Sequence, residues 1–235
     1  MNILVIGSGG REYAIIKSLL KTPNLDLYCL GEYLNPGILY MVKGFKVIDN
    51  YESIEFINFL NKIKPRFVVV GPEKYLSLRI GEVLYNQGIP CIGPLGIMAK
   101  IETSKVFCRQ FLKQHNLERY SPAVNEITRN TKVELLFNNY QDKVVIKPNG
   151  LTGGKGVKLF KNQNEEAQSY INELLNKESA ILMEEMLFGE EFILLSFCDG
   201  KNIKHMPIVK DFKKVSNRSN INTGSMGCII QNNHT

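Results

Sequence analysis

Through the first ninety residues, short apolar runs alternate with apolar positions at helical spacing. Residues 3–6, 25–30, 66–70 and 90–92 read as strands, apolar on both faces as in a parallel sheet covered from both sides. Between them, Ile54, Ile57, Leu60 and Ile63 recur at helical spacing, and Leu76, Ile80, Val83 and Leu84 do the same. Strand and helix in alternation predict a doubly wound α/β unit. Gly93-Pro94 punctuates its end, and residues 100–104 lead into a helix to about His115, with Thr103 or Ser104 as N-cap.

The pattern then changes. The β-branched run Val144-Val145-Ile146 ends in Lys147, a glycine-rich loop follows, and residues 157–160 are again strand-like. Residues 165–176 read as an amphipathic helix with Ala167, Tyr170, Ile171, Leu174 and Leu175 on the face that packs on a sheet. Strands return at 181–186 and 191–198, and Asp199-Gly200 supplies a hairpin turn. The expected fold is therefore an N-terminal doubly wound parallel-sheet domain over residues 1–100, followed by an α+β domain over 101–235.

Composition narrows the class only modestly. A chain of 235 residues is long enough for one large or two small domains. Its net charge of +6 favours anionic ligands, but no long basic run suggests a nucleic-acid partner. Cys29, Cys91, Cys108, Cys198 and Cys228 form no Cys-x-x-Cys pair and no cluster with the three histidines, so reduced thiols are expected. The chain opens on a strand-like segment, without a basic leader or an apolar stretch long enough to span a bilayer. A cytoplasmic protein without a membrane or nucleic-acid partner is expected.

Chemistry concentrates in the glycine loops. In Lys147-Pro148-Asn149-Gly150-Leu151-Thr152-Gly153-Gly154-Lys155-Gly156, glycines let backbone N–H groups close around phosphate oxygens, and two lysines supply point charges. It is not a P-loop. The first glycine of that motif falls at Asn149, and Gly156 stands where Ser or Thr is required. A glycine loop between two strands is instead a β-hairpin flap over phosphates, as in ATP-grasp enzymes. A second glycine turn, Gly7-Ser8-Gly9-Gly10-Arg11-Glu12, opens a helix whose first amides can hold phosphate. With Glu32 after the second strand it partly fits a dinucleotide site, but Glu12 occupies the position that motif reserves for glycine. Gly71-Pro72-Glu73 lies at another strand end, where ligands of such sheets sit. Lys105 in a first helical turn opposes the helix dipole, which a nearby anion would explain. Of the carboxylates Glu184, Glu185, Glu190 and Glu191, the last can accept hydrogen bonds from ribose hydroxyls.

Seven motifs occur in order: Gly7 to Glu12, Asn35-Pro36-Gly37-Ile38, Gly71-Pro72-Glu73, Ile101-Glu102-Thr103-Ser104-Lys105, the flap at 146–157, Gly189-Glu190-Glu191, and Asn222-Thr223-Gly224-Ser225-Met226-Gly227. Together they resemble phosphoribosylamine-glycine ligase, the ATP-grasp enzyme of purine synthesis, in its archaeal-type wording. The resemblance covers the whole chain but about the N-terminal half of a typical member. It implies a pre-ATP-grasp domain followed by an incomplete ATP-grasp domain, with residues 120–190 covering the nucleotide. It implies ATP as cosubstrate with Mg2+ or Mn2+, and glycine and 5-phosphoribosylamine as substrates. By matching position, Lys105, Lys147 and the flap glycines Gly150, Gly153, Gly154 and Gly156 with Lys155 would meet ATP phosphates. Main chain around Glu184, Glu185 and Leu187 would meet adenine, and Glu191 ribose. Gly9, Gly10 and Glu73 would hold phosphoribosylamine, while Asp211, Lys213, Thr223, Gly224 and Gly227 would line the substrate side, with Lys147, Asp211 and Lys213 nearest the chemistry.

The chain also departs from that family. Tyr13 stands where histidine is usual, Lys210-Asp211-Phe212-Lys213-Lys214 replaces Gln-Asp-His-Lys-Arg, Asn220-Ile221 replaces Gly-Pro, and Ser225 replaces glycine. The family's metal ligands, a Glu and an Asn, are expected beyond Thr235, so none is assigned within the chain. Three readings follow: the ligase, acting with a complementing C-terminal segment; a non-catalytic nucleotide or phosphosugar binder; or an ATP-grasp carboxylate-amine ligase with another acceptor. Strands lacking their usual neighbours are expected to expose apolar surface and drive self-association.

Overall fold

Alternate residues of the first strand enter opposite cores, and this organises the N-terminal unit. The computed structural model describes residues 1–140, 143–153, 156–161, 165–215 and 222–230. It divides into two units, Met1–Cys108 and Arg109–Thr235. In the first, β1 (Asn2–Ile6), β2 (Asp26–Gly31), β3 (Gly44–Val47), β4 (Phe67–Val70) and β5 (Cys91–Ile92) form a parallel sheet in the order β3-β2-β1-β4-β5. Ile3 and Val5 pack with Ile16 of α1 (Gly10–Leu19) and Ile38 of α2 (Pro36–Leu39). Leu4 and Ile6 pack on the other side with Phe56, Leu60 and Ile63 of α3 (Ile54–Ile63). Since all four strand residues are buried, truncating one to alanine costs about 2–5 kcal/mol.

Local signals set the helix ends. Ser53 caps α3 by accepting a hydrogen bond from the Phe56 amide at 3.2 Å, and Lys64 ends it in the left-handed region at φ 46°. The expected helix over 76–84 is interrupted. It divides into α4 (Lys74–Ser77) and α5 (Ile80–Asn86) because Arg79 adopts φ 55°, its Nε donating to Glu82 at 3.1 Å. Periodicity cannot register a single left-handed residue between two turns that keep the same buried face. Next come α6 (Gly96–Thr103) and α7 (Lys105–Gln114), and the cap of α7 is Ser104, whose hydroxyl accepts from the Phe107 amide.

The second unit is built on an antiparallel sheet ordered β6-β9-β7-β8, from β6 (Val124–Ile127), β7 (Lys143–Pro148), β8 (Lys158–Lys161) and β9 (Ile181–Glu185). The single turn α8 (Val133–Leu136) precedes β7, and α9 (Glu165–Leu175) precedes β9. Ala167, Tyr170, Ile171, Leu174 and Leu175 bury the expected face of α9 against Val144, Ile146, Ile181 and Met183. Glu165 and Glu166 occupy its first turn, where the dipole favours them. Thus β7 sends Val144 and Ile146 into the core and Val145 and Lys147 to the opposite face.

Beyond β9 the chain forms a hairpin, β11 (Ser196–Cys198) with β12 (Ile203–His205), and a sheet ordered β10-β13-β14 from β10 (Phe192–Ile193), β13 (Val209–Lys214) and β14 (Asn222–Ile230). The single strand expected over 191–198 is therefore two strands in different sheets, separated by the exposed Leu194 and Leu195. The apolar run Phe192-Ile193-Leu194-Leu195 passes straight through the break, so it does not tell which partner each half chooses. The Asp199-Gly200 turn stands as expected. Among the described residues no helix is long and apolar enough to cross a membrane.

Candidate functional site

Two separate constellations emerge, one in each unit. In the first unit, connections run from β1 outward to β2 and β3, then return to β4 and β5, so β1 and β4 flank the point where strand order reverses. Ligands of open parallel sheets sit outside the carboxyl ends at such a point. Both ends carry glycine turns, and Arg11 joins them, donating to the Gly71 carbonyl at 2.8 Å and to Glu73 at 3.0 Å. A backbone hydrogen bond from its own amide, aided by Arg11, holds the Glu73 carboxyl below its ordinary range. Asn35 ties in a third motif, donating to the Ser8 carbonyl at 2.8 Å and accepting from the Gly37 amide. Gly9 and Gly10 stand at the start of α1 in this cluster, and Tyr13 packs against Gly37. Glu32 pairs instead with Lys74.

Glu12 proves to be the wedge of this cluster. Its side chain is buried, Oε2 accepts from the Gly9 amide at 2.7 Å, and Oε1 finds no hydrogen-bond partner among the described residues. A Cβ on Gly71 would lie 2.0 Å from Oε1, and one on Gly7 would lie 2.7 Å from the Glu12 carboxyl carbon. The glycines of both turns therefore make room for this carboxylate. The sequence signal was the glutamate itself, out of place in a dinucleotide turn.

In the second unit, a cleft of about 950 Å³ opens on the face of β7 turned away from α9. Lys143, Val145 and Lys147 line it from β7, and Leu159, opposite Val145, lines it from β8. Residues 184–191, running from the end of β9 into the following loop, close another side. The register pairs Val145 with Glu184, so Lys147 and Glu184 are diagonal neighbours on one face. Lys147 bonds to Glu184 Oε2 at 2.5 Å, while Arg109 of α7 donates to Oε1 from Nη2 at 2.8 Å and Nε at 3.1 Å. The Glu184 side chain is 1% exposed, so this carboxylate is buried between two cations. Next to it, Glu185 accepts from the Ala123 amide at 2.7 Å and fixes the end of β9.

The flap connecting β7 and β8 is anchored at both roots. The Asn149 amide donates to Glu178, and the Tyr170 hydroxyl donates to the Gly156 carbonyl at 2.7 Å. Gly156 has φ 90°, and a Cβ there would lie 3.2 Å from Pro148. Gly150 and Gly153 follow the first root, with Gly153 also at positive φ, whereas Gly154 and Lys155 lie outside the described residues. The Gly153 carbonyl faces Gly224, 3.7 Å from where its Cβ would be.

Of the remaining residues expected at the site, Asp211 is buried in β13 and accepts from Ser225 at 2.7 Å, with Lys213 at 3.8 Å. Lys213 bonds to Glu191, and Thr223 donates to the Lys213 carbonyl at 3.0 Å. Gly227, at φ 158°, pairs with Phe212 across the ladder. The cleft thus gathers Lys147, Glu184, Glu185, Leu187 and Glu191, with Lys213 and Asp211 reached through Glu191. Lys105 begins α7 in the first unit, where Gly9, Gly10 and Glu73 also lie. Arg109 carries no recognisable motif and was missed from sequence, since its partner lies 75 residues away. No group of three His, Cys, Asp or Glu side chains able to hold a metal ion occurs among the described residues.

Residues 1–102 match the phosphoribosylglycinamide synthetase N domain, and residues 103–235 match the ATP-grasp (A) domain of the same synthetase. The chain is 35% identical over its whole length to a phosphoribosylamine–glycine ligase of Methanocorpusculum labreanum, covering 54% of that protein. It is 39% identical to one of Methanococcus maripaludis, covering 55%. Among solved structures, a phosphoribosylamine–glycine ligase of Thermotoga maritima superposes with a TM-score of 0.73 at 23% identity, over 97% of this chain and 55% of that one. An N5-carboxyaminoimidazole ribonucleotide synthetase in complex with ADP gives a TM-score of 0.68 at 15% identity, over 90% of this chain and 54% of that one. The chain spans about half the length of the curated relatives it matches. Both halves of the chain match one synthetase in sequence and its ligase in fold, and the chain belongs to the phosphoribosylglycinamide synthetase family.

Proposed function

We propose that this chain provides the nucleotide grip and the amine-substrate domain of an ATP-dependent ligase that joins glycine to 5-phosphoribosylamine, giving glycinamide ribonucleotide, ADP and phosphate. The observation that carries the reading is the cleft of the second unit. There a phosphate-type lysine, Lys147, and the segment 184–191 face one another beside a glycine flap, in a chain whose two halves match one synthetase family.

In this reading ATP lies between the hairpin and the segment after β9. Main-chain groups of Glu184, Glu185 and Leu187 read adenine, and Glu191 exchanges Lys213 for ribose hydroxyls. Lys147 and Lys105 meet the phosphates, and residues 150–156, including Gly154 and Lys155, close over them and exclude water. A glycine carboxylate oxygen attacks the γ-phosphorus and ADP leaves. The amine of phosphoribosylamine then attacks the acyl carbon of glycyl phosphate, and phosphate departs with its bonding pair. Holding amine and acyl carbon in line turns a bimolecular encounter into a positioned one. Gly9, Gly10 and Glu73 hold phosphoribosylamine at the switch point, and Asp211, Lys213, Thr223, Gly224 and Gly227 line the acyl side. Mg2+ or Mn2+ bound with ATP would neutralise phosphate oxygens, and the described residues include no group of three His, Cys, Asp or Glu side chains to hold it.

The test is ADP release by the purified chain, alone and mixed with the remaining half of a relative, with MgATP, glycine and freshly generated phosphoribosylamine, each omitted in turn. ADP formation that requires both glycine and phosphoribosylamine supports the ligase. ADP formation that ignores phosphoribosylamine but responds to another amine overturns the acceptor, a point on which the replaced residues Phe212 and Ser225 bear directly.

A further inference from the structure

Glu184 holds two cations, and they are not equivalent. Lys147 and Glu184 both line the cleft, whereas Arg109, on the opposite oxygen, is not among its lining residues. Lysine is a compact charge on a flexible stem, suited to point contact with phosphate; arginine is a planar fork that holds its geometry. Here the fork places two N–H groups on one carboxylate oxygen, while the lysine takes the other. A polyphosphate entering the cleft competes with Glu184 for Lys147. Removing the lone partner of a buried carboxylate is heavily penalised, because the charge is left uncompensated. With Arg109 in place, the carboxylate keeps one partner when the lysine leaves.

We infer that Arg109 is a positioning residue that holds Glu184 neutralised from behind the cleft, so that Lys147 can exchange the carboxylate for an incoming nucleotide polyphosphate. Arg109 acts through Glu184 and does not touch the nucleotide. The inference rests on the nucleotide reading above and adds the device that makes its central lysine available.

The experiment is a mutant cycle on MgATP affinity, read by titration calorimetry with circular dichroism on the same samples. Arg109→Met leaves Lys147 as the only cation on Glu184; MgATP should bind at least tenfold more weakly, and Arg109→Lys should recover most of that loss. Glu184→Gln removes the charge that Arg109 serves. On that background, Arg109→Met should change affinity less than threefold. The Glu184→Gln pair also leaves no uncompensated carboxylate, so the comparison holds even where Arg109→Met alone does not fold. A further tenfold loss on the Glu184→Gln background makes Arg109 a direct phosphate contact and overturns the inference while the nucleotide reading stands. Unchanged affinity in a folded Arg109→Met protein also overturns it, leaving a merely structural pair. Absence of MgATP binding by the folded parent chain overturns both.

Discussion

The Tyr170 hydroxyl donates to the carbonyl of Gly156, so the helix that builds the core of the second unit also holds the root of the glycine flap. The neighbouring Lys158 ammonium lies 4.0 Å from the Tyr170 ring centroid, a second tie at the same point. Tyr170→Phe keeps the ring and loses the hydrogen bond. It should destabilise the protein by about 1 kcal/mol and accelerate protease cleavage within residues 150–157. Gly156→Ala should cost about 1–2 kcal/mol because φ 90° is unfavourable to an L side chain. Urea unfolding and timed proteolysis check both; equal cleavage of Tyr170→Phe and parent would separate the flap from this anchor.

Arg11 and Glu12 are adjacent yet should respond very unequally to truncation. Arg11 is exposed and its pair with Glu73 is solvated, so Arg11→Ala should change stability by less than about 1 kcal/mol. Glu12 is buried, closes the capping interaction at Gly9 and fills the space between Gly7 and Gly71. Glu12→Ala should cost about 2 kcal/mol through the lost hydrogen bond and the cavity left behind. Denaturant titration of both variants decides, and a larger effect at Arg11 would reverse the assignment.

Much of this architecture was legible in the sequence because burial repeats with a period. The consecutive apolar residues of β1, the helical spacing of Ile54 to Ile63 and the buried face of α9 all followed from it, and the residues flanking the glycine flap identified it as a hairpin. Features set by one residue's backbone or by a distant partner were not legible. Arg79 breaks a helix without disturbing its period, Leu194 and Leu195 continue the apolar run of Phe192 and Ile193 yet separate two strands, and Arg109 meets Glu184 only through the fold. Glu191 was readable as a hydrogen-bond acceptor, but its engagement by Lys213 depends on β13 lying beside β10.

Asp199 gives a pH-dependent signature for the β11–β12 hairpin. Hydrogen bonds from the Asn202 backbone, the Asn202 side chain and the Lys201 backbone lower its carboxyl from 3.8 to about 2. Because the folded value is depressed, the stabilisation is present above the unfolded value near 3.8 and is lost as pH falls through about 2. The Lys201 and Asn202 amide resonances should titrate in that window and lose their low-pH transition in Asp199→Asn. A titration midpoint near 4 would show that the turn does not hold the carboxylate.

The strands and loops after β9 present apolar side chains to solvent: Phe188 is 82% exposed, Leu195 61%, Ile203 60% and Phe192 59%. Apolar area of this kind favours association with a complementing segment or with another copy of the chain. Sedimentation velocity should show concentration-dependent association, and Phe188→Ser with Leu195→Ser should reduce it. A monodisperse monomer at high concentration would show that this surface is tolerated in isolation.

In the proposed function the cleft between β7, β8 and residues 184–191 holds the nucleotide. Photolabelling the chain with azido-ATP and mapping the modified peptides tests it directly. Labelling is expected within residues 184–191, protected by excess ATP and abolished by Lys147→Met. Protectable labelling confined to the unit Met1–Cys108, with residues 184–191 unmodified, would contradict it.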